Sequence, residues 1–284
     1  MIKVTDLDYI YPKSSVKAVR DLTFEITDGE IFGFLGPSGA GKTTTQRIII
    51  GLLKGYKGSV RIMNKERHQW DNDFYERIGV AFDFPNLYQK LTAAENLSLI
   101  GSYYKNKPEN IDSLLERVGL LQDRDRKVEG YSKGMKMRLN FIRSLLHDPE
   151  ILFFDEPTAG LDPVNAKIIK DIILELKQKG KTIFLTTHNM NVADQLCDRV
   201  AFIVDGTITL TDSPGELKVK YGKKTVRVEY MTDEDIKSAD FPLEGIGMQN
   251  EFLTLLKKSE IRTIHSLEAS LEDIFIQITG KELL

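Results

Sequence analysis

The run Gly36-Pro37-Ser38-Gly39-Ala40-Gly41-Lys42-Thr43 fits the pattern G-x-x-x-x-G-K-[ST] in full. It follows the apolar run Glu30-Ile31-Phe32-Gly33-Phe34-Leu35, which reads as a buried strand. It precedes a stretch that reads as a helix with Ile49, Leu52 and Leu53 on one side. A strand, a glycine-rich loop and a helix in that order let backbone N–H groups converge on phosphate oxygens at a helix N-terminus. Lys42 then adds a point charge at the β and γ phosphates, and the Thr43 hydroxyl is placed to ligate magnesium, with Thr44 next in the same helical turn. The unit commits the chain to an α/β domain with a parallel sheet.

The pattern continues to about residue 215. Val4–Leu7 and Leu22–Ile26 read as early strands. Buried strands recur at Ile151–Phe154, Thr182–Thr186 and Val200–Val204, and a helix around Ile168–Leu176 supplies a crossover between the first two. Between about 85 and 148 the strand runs vanish, and Glu95–Leu99, Ile111–Leu115 and Met137–Leu146 read as a helical insertion. The buried strand at Ile151 ends in Asp155-Glu156. Paired acids there put Asp155 near a magnesium ion and leave Glu156 able to polarise an attacking water.

A turn signal, Ser213-Pro214-Gly215, and the basic stretch Lys218 to Lys224 mark the expected boundary between domain 1–215 and domain 216–284. The second contains a strand-like Thr225–Tyr230. It closes on a helix with Leu271, Ile274, Phe275 and Ile278 on one stripe, opened by Ser270 with Asp273 three residues on. It reads as a small α+β appendage.

Lys and Arg number 39 and Asp and Glu 42, a net charge of −3 that argues against a nucleic-acid partner. No run approaches the roughly 20 apolar residues that span a bilayer, and the amino terminus lacks the apolar core of a signal peptide. A chain soluble on its own is expected, any membrane role coming from a partner. The single cysteine, Cys197, reads as a small buried apolar residue.

Tyr131-Ser132-Lys133-Gly134-Met135-Lys136-Met137-Arg138 resembles the signature motif of ABC-type ATPases. In that family the Ser and the Gly sit at a helix N-terminus and bind the γ-phosphate held by the opposite subunit, which implies a dimer, homomeric or heteromeric, with Ser132 and Gly134 binding ATP. Three further segments fit the same family. Thr158-Ala159-Gly160-Leu161-Asp162 resembles its D-loop, His188 its switch histidine, and Tyr11, 25 residues before Gly36, its adenine-stacking aromatic.

The resemblance covers about residues 1 to 215 and looks like the nucleotide-binding subunit of an ABC transporter. It implies a P-loop nucleotidase core with an antiparallel β subdomain, ATP and Mg2+ as cofactors, and catalytic roles for Glu156, His188, Lys42 and Asp162. It also implies a separate multi-spanning permease and a place on the inner face of the cell membrane. Ser270–Gly280 is similar to the closing helix of ATPase subunits from ABC-2 type exporters, which implies export.

Two departures stand out. Asp83 occupies the position where the family normally has a glutamine that ligates magnesium and senses the permease. A carboxylate can ligate magnesium too, but it is one methylene shorter and adds charge beside Asp155 and Glu156. In the signature, Tyr131, Lys133 and Met135 stand where Leu, Gly and Gln are commoner, while Ser132 and Gly134 are kept.

Overall fold

The computed structural model describes residues 1–105, 110–222, 224–232, 235–267 and 269–281. Lys223, within the basic stretch at the expected boundary, lies outside the described residues. Two compact units form, dividing between Ser213 and Pro214.

The larger unit holds two sheets. Strands β1 (Ile2–Ile10), β2 (Lys17–Ile26), β4 (Lys57–Ile62) and β5 (Lys65–Glu66) pair antiparallel in the order β2-β1-β4-β5. Strands β3 (Ile31–Leu35), β6 (Ile78–Ala81), β7 (Ile151–Asp155), β8 (Thr182–Thr187), β9 (Arg199–Val204) and β10 (Thr207–Asp212) form the second, in the order β10-β9-β3-β8-β7-β6. Its neighbours are parallel except β9 and β10. β3, β7 and β8 are buried along their whole length; β3 and β7 are near-continuous apolar runs, β7 closing on Asp155, and β8 sets Ile183, Phe184 and Leu185 between threonines.

One apolar core joins the two sheets. Phe24 of β2 meets Phe32 and Phe34 of β3 and Phe184 of β8 at ring-centroid distances of 5.6, 5.4 and 6.3 Å. Aromatic pairs at this spacing contribute about 0.5–1.5 kcal/mol each beyond the area they bury. Cys197 is buried against Gly33, where a Cβ would come within 2.7 Å of its Sγ.

Helix α1 (Lys42–Ile49) follows β3 but stops before Leu52 and Leu53, which sequence periodicity places on its apolar side. Its end is a Schellman turn. Gly51 adopts φ 85°, its N–H bonds the Ile48 carbonyl at 3.0 Å and the Leu52 N–H bonds the Arg47 carbonyl at 2.8 Å. Arg67 completes the cap by donating from Nη2 to the Ile50 carbonyl at 3.0 Å. Leu52 is consequently 57% exposed.

Between β6 and β7 lie α2 (Ala93–Gly101), α3 (Ile111–Arg117) and α4 (Lys133–Arg143). The helix expected at Met137–Leu146 thus begins four residues earlier, capped by Ser132, and ends at Arg143. α5 (Pro163–Gln178) is the crossover from β7 to the adjacent parallel β8, and α6 (Met190–Leu196) leads from β8 toward β9.

The smaller unit contains α7 (Pro214–Tyr221), β11 (Thr225–Met231), β12 (Ile236–Pro242), α8 (Asn250–Lys258), β13 (Glu260–Ser266) and α9 (Leu271–Thr279). The antiparallel sheet runs β12-β11-β13, and Val226, Val228 and Phe241 pack against Phe252, Leu255 and Leu256 of α8. α9 opens with a capping box between Ser270 and Asp273 and lies against α7. It buries Leu271, Ile274 and Phe275, with Ile278 half-buried.

Candidate functional site

The loop between β3 and α1 is held by close backbone packing. A Cβ on Gly36 would lie 2.1 Å from the Ile203 carbonyl oxygen of β9. Gly41, the N-cap of α1, has φ 108° and room for no Cβ beside the Ala18 carbonyl at 2.7 Å. Among the described residues no side chain caps α1, so its first-turn N–H groups are left for another acceptor, the kind of end that can take an anion. Pro37, Ser38, Gly39 and Ala40 form the arch between, with the Ala40 N–H on the Pro37 carbonyl at 3.2 Å and Ser38 and Gly39 exposed.

Lys42 is buried beneath that arch, donating from Nζ to the carbonyls of Gly36 at 2.5 Å and Pro37 at 3.0 Å. Burial pulls its pKa below the ordinary lysine value, and the carboxylates of Glu156 and Asp155 oppose that shift. The ammonium is thereby aimed along the loop.

Asp155 ends β7 and is 2% exposed. Thr43 Oγ1 donates to its Oδ2 at 2.9 Å, and Thr186 Oγ1 of β8 donates to its Oδ1. Burial raises its pKa, the two hydroxyl bonds oppose the rise, and the nearby charges of Asp83 and Glu156 add to it. A hydroxyl and a carboxylate in contact are hard oxygen donors. They fit Mg2+, which takes one or two carboxylates together with phosphate oxygens and water. Among the described residues no cluster of three or more His, Cys, Asp or Glu is placed to hold a metal ion.

Glu156 leaves the strand at φ 49°, a left-handed conformation that a non-glycine residue adopts at some cost. Its carboxylate accepts three hydrogen bonds. Thr187 Oγ1 donates to Oε2 at 2.9 Å, and His188 donates to Oε1 from its backbone N–H at 2.8 Å and from Nδ1 at 2.6 Å. An ionised carboxylate only accepts, so Nδ1 carries the proton and Nε2 lies at the outer edge of an exposed ring. Tyr11 meets α1, with its hydroxyl 3.0 Å from Thr44 Oγ1 and its ring edge-on to Tyr9 at 5.0 Å.

Ser132, Gly134 and Asp162 form a second group. Ser132 caps α4, its Oγ accepting the Met135 N–H at 3.2 Å, and the first turn of α4 contains no acid. Asp162 caps α5 by accepting the N–H groups of Val164 and Asn165, both at 3.0 Å. The Asn165 side chain and these amides hold its carboxyl below the usual carboxylate range. The two caps adjoin, because a Cβ on Gly134 would meet Leu161 at 3.5 Å and one on Gly160 would meet Lys133 at 3.2 Å. Among the described residues no hydrogen bond or ion pair joins this group to the Lys42–Asp155–Glu156 cluster.

Comparison with known proteins agrees with this geometry. Residues 19–159 match the family described as ABC transporter, and residues 224–268 match the fluoroquinolone efflux ABC transporter C-terminal domain. A fluoroquinolones export ATP-binding protein of Mycobacterium tuberculosis is 52% identical over 284 residues, spanning 100% of this chain and 94% of the relative. The chain belongs to the ABC transporter family. It is an ATP-binding and ATP-hydrolysing subunit with the α/β fold of that family. The bacitracin transport ATP-binding protein of Bacillus licheniformis is 35% identical over 99% of this ATPase and 97% of the relative. A dimeric ATP-binding cassette in a post-hydrolysis state with ADP and Pi superimposes with a TM-score of 0.69 at 28% identity, covering 75% of this chain and 98% of that one. Among the described residues no helix of the ATPase is long and apolar enough to cross a membrane.

Thr186 and Thr187 are contributors that motif reading misses. In sequence they belong to an apolar strand, where threonine reads as β-propensity. Two consecutive hydroxyls just before His188 were the only signal. Gln89, the nearest glutamine to Asp83, donates to the Leu87 carbonyl at 3.3 Å.

Proposed function

We propose that two copies of this ATPase, or one copy and a related subunit, clamp two ATP molecules head to tail and drive export through a separate multi-spanning permease at the inner face of the cell membrane. The observation that carries the reading is the N-terminus of α4, capped by Ser132 with Gly134 in its first turn and no acid there, which suits a phosphate presented by a second subunit. It accompanies a cluster that gathers Lys42, Thr43, Asp155, Glu156 and His188.

In each composite site the loop amides and Lys42 bind the β and γ phosphates, and Tyr11 stacks on the adenine. Thr43 and Asp155 hold Mg2+, with Asp83 as a further metal or water ligand. A bound magnesium ion supplies positive charge against the phosphate oxygens. Glu156 accepts the proton of the attacking water through a carboxylate oriented by Thr187 and His188. His188 contacts the γ-phosphate through Nε2, and Asp162 acts from the cap of α5. Residues 1–215 serve as the nucleotide-binding domain, its helical subdomain over about 85–148 passing closure to the permease, and 216–284 serve as an accessory domain. The fluoroquinolone and Nod factor export relatives support export as the direction.

Glu156→Gln keeps the shape of the side chain and removes the base. ATP binding should persist and turnover should fall by about 10²- to 10⁴-fold. ATP should also convert the variant to a dimer measurable by light scattering. Turnover within tenfold of the parent, or a monomer at saturating ATP, would refute the mechanism. A pull-down from detergent-solubilised membranes that recovers only soluble partners would refute the permease assignment.

A further inference from the structure

We infer that Asn140 and Arg143 are positioning residues. From the far end of α4 they fix the segment 82–86, and with it Asp83, so that displacement at Ser132 is delivered to the acidic end of β7. The inference rests on the roles proposed above for Asp83 and Ser132.

The segment leaves β6 at Ala81 and carries Asp83 toward Asp155, close enough for its charge to bear on that carboxyl. Among the described residues the Asp83 carboxylate makes no hydrogen bond or ion pair of its own. Its place is therefore set by the backbone on either side, and α4 grips that backbone twice. Asn140 Nδ2 donates to the Phe82 carbonyl at 2.9 Å, and Arg143 Nη1 donates to the Asn86 carbonyl. The two side chains are tied to each other by Arg143 Nη2 on Asn140 Oδ1 at 2.6 Å. Spacing of i and i+3 puts them on one face of the helix. The carbonyl just before Asp83 and the carbonyl three residues after it are thus held by a single linked pair.

Burial strengthens the argument. Asn140 is 1% exposed, and both ends of its amide are used, so a polar side chain sits inside the fold without an unpaired atom. A second buried amide takes up the next part of the strap. Asn96 of α2 accepts the Tyr88 N–H at 2.8 Å and donates to the Tyr88 carbonyl at 3.0 Å and the Thr92 carbonyl at 2.8 Å. Asp83 and Phe84 are left exposed between these holds. The N-cap of α4 and Asn140 are eight residues apart, about 12 Å along a continuous helix. A rigid rod of that length, touching a nucleotide at one end and the Asp83 strap at the other, moves both together.

The test is a double-mutant cycle between Asn140→Ala and Asp83→Ala, built on Glu156→Gln so that nucleotide is bound without turnover. The readout is the magnesium concentration giving half-maximal binding of a fluorescent ATP analogue, with melting temperature recorded for every variant. Asn140→Ala should raise that concentration by about tenfold, the scale on which loss of a partner behind a metal ligand is felt. With Asp83 already removed, the same substitution should change it by less than about twofold, because coupled positions are not additive. An undiminished Asn140→Ala effect in the Asp83→Ala background overturns the inference and leaves the role of Asp83 standing. No change on Asp83→Ala alone overturns both. Should Asn140→Ala fail to fold, Arg143→Lys keeps the charge, loses the two-pronged grip and is read in the same cycle with the same expected outcome.

Discussion

Asp155→Asn should raise the thermal stability of the nucleotide-free subunit while ending magnesium-dependent hydrolysis. The carboxylate is 2% exposed and shares its surroundings with Asp83 and Glu156, while Thr43 and Thr186 donate hydroxyl bonds to it. Two hydrogen bonds to a charged acceptor in place of a neutral one are worth about 1 kcal/mol extra apiece. Desolvating a carboxylate costs several kcal/mol, and repulsion from the two neighbouring acids adds to that. The raised pKa of Asp155 shows which sum is larger: the fold favours the neutral form.

An asparagine keeps the shape without the charge: its Oδ1 still accepts one threonine hydroxyl, and its Nδ2 donates to the other, whose hydroxyl turns round to accept, for a net gain of about 1 kcal/mol. In a domain of this size that corresponds to roughly 2–4 °C in melting temperature. The sign can be checked against pH. Because the folded chain holds the Asp155 proton more tightly than the unfolded chain, the stability tied to that proton is fully present in acid. It is lost as pH rises through the folded-state value. Scanning calorimetry in EDTA should therefore show the variant's advantage widening as pH rises above the ordinary aspartate value of 3.8. A variant that melts below the parent at neutral pH, or an advantage constant with pH, would refute the reasoning.

Tyr131 is buried, its hydroxyl donates to the Asp123 carbonyl at 2.7 Å, and burial beside Asp123 pushes its pKa up to about 12. Its contribution is complete below the ordinary tyrosine value and is lost as pH rises toward 12, so Tyr131→Phe should cost about 1 kcal/mol at neutral pH yet flatten alkaline unfolding. Parallel alkaline losses in the two proteins would contradict this. Gln46 is fully buried in α1, and among the described residues neither end of its amide has a hydrogen-bond partner. Gln46→Met should accordingly raise the urea unfolding free energy by about 1 kcal/mol, and a fall instead would mean that the amide is bonded by water inside the folded protein.

The phosphate-binding loop was legible because close packing leaves its glycines no alternative: Gly36 and Gly41 have carbonyls where a Cβ would go. The buried strands were legible because each must be apolar on both faces. The end of α1 was not. Apolar spacing ran on through Leu52, while the stop depended on Gly51 turning left-handed and on Arg67, distant in sequence, reaching the Ile50 carbonyl. β4 is hard to see for a related reason, since its Lys57, Gly58, Ser59 and Arg61 dilute the only two buried residues, Val60 and Ile62. The helix read around Ile168–Leu176 begins five residues earlier, at Pro163, with Asp162 as its cap. Asn140 and Thr186 stayed silent because their worth lies in partners that only folding brings near, Phe82 for one and Asp155 for the other.

The strand order of the parallel sheet also sets when the catalytic cluster can exist during synthesis. Lys42 and Thr43 lie on the element after β3, but the second hydroxyl partner of Asp155, Thr186, and that of Glu156, Thr187, arrive only with β8, 144 residues after Lys42 at Thr186. At translation speeds of about 5–20 residues per second, that is an interval of roughly 7 to 30 seconds. Through it the phosphate loop has been made while β8, the central neighbour of β3, has not. In the proposed clamp, ATP stabilises the nascent chain by mass action through its own Lys42–Asp155–Glu156 cluster only after that interval, the Ser132–Gly134 end being supplied by a second copy. A ribosome stalled before residue 182 would therefore display the complete glycine-rich motif on a chain that nucleotide cannot rescue.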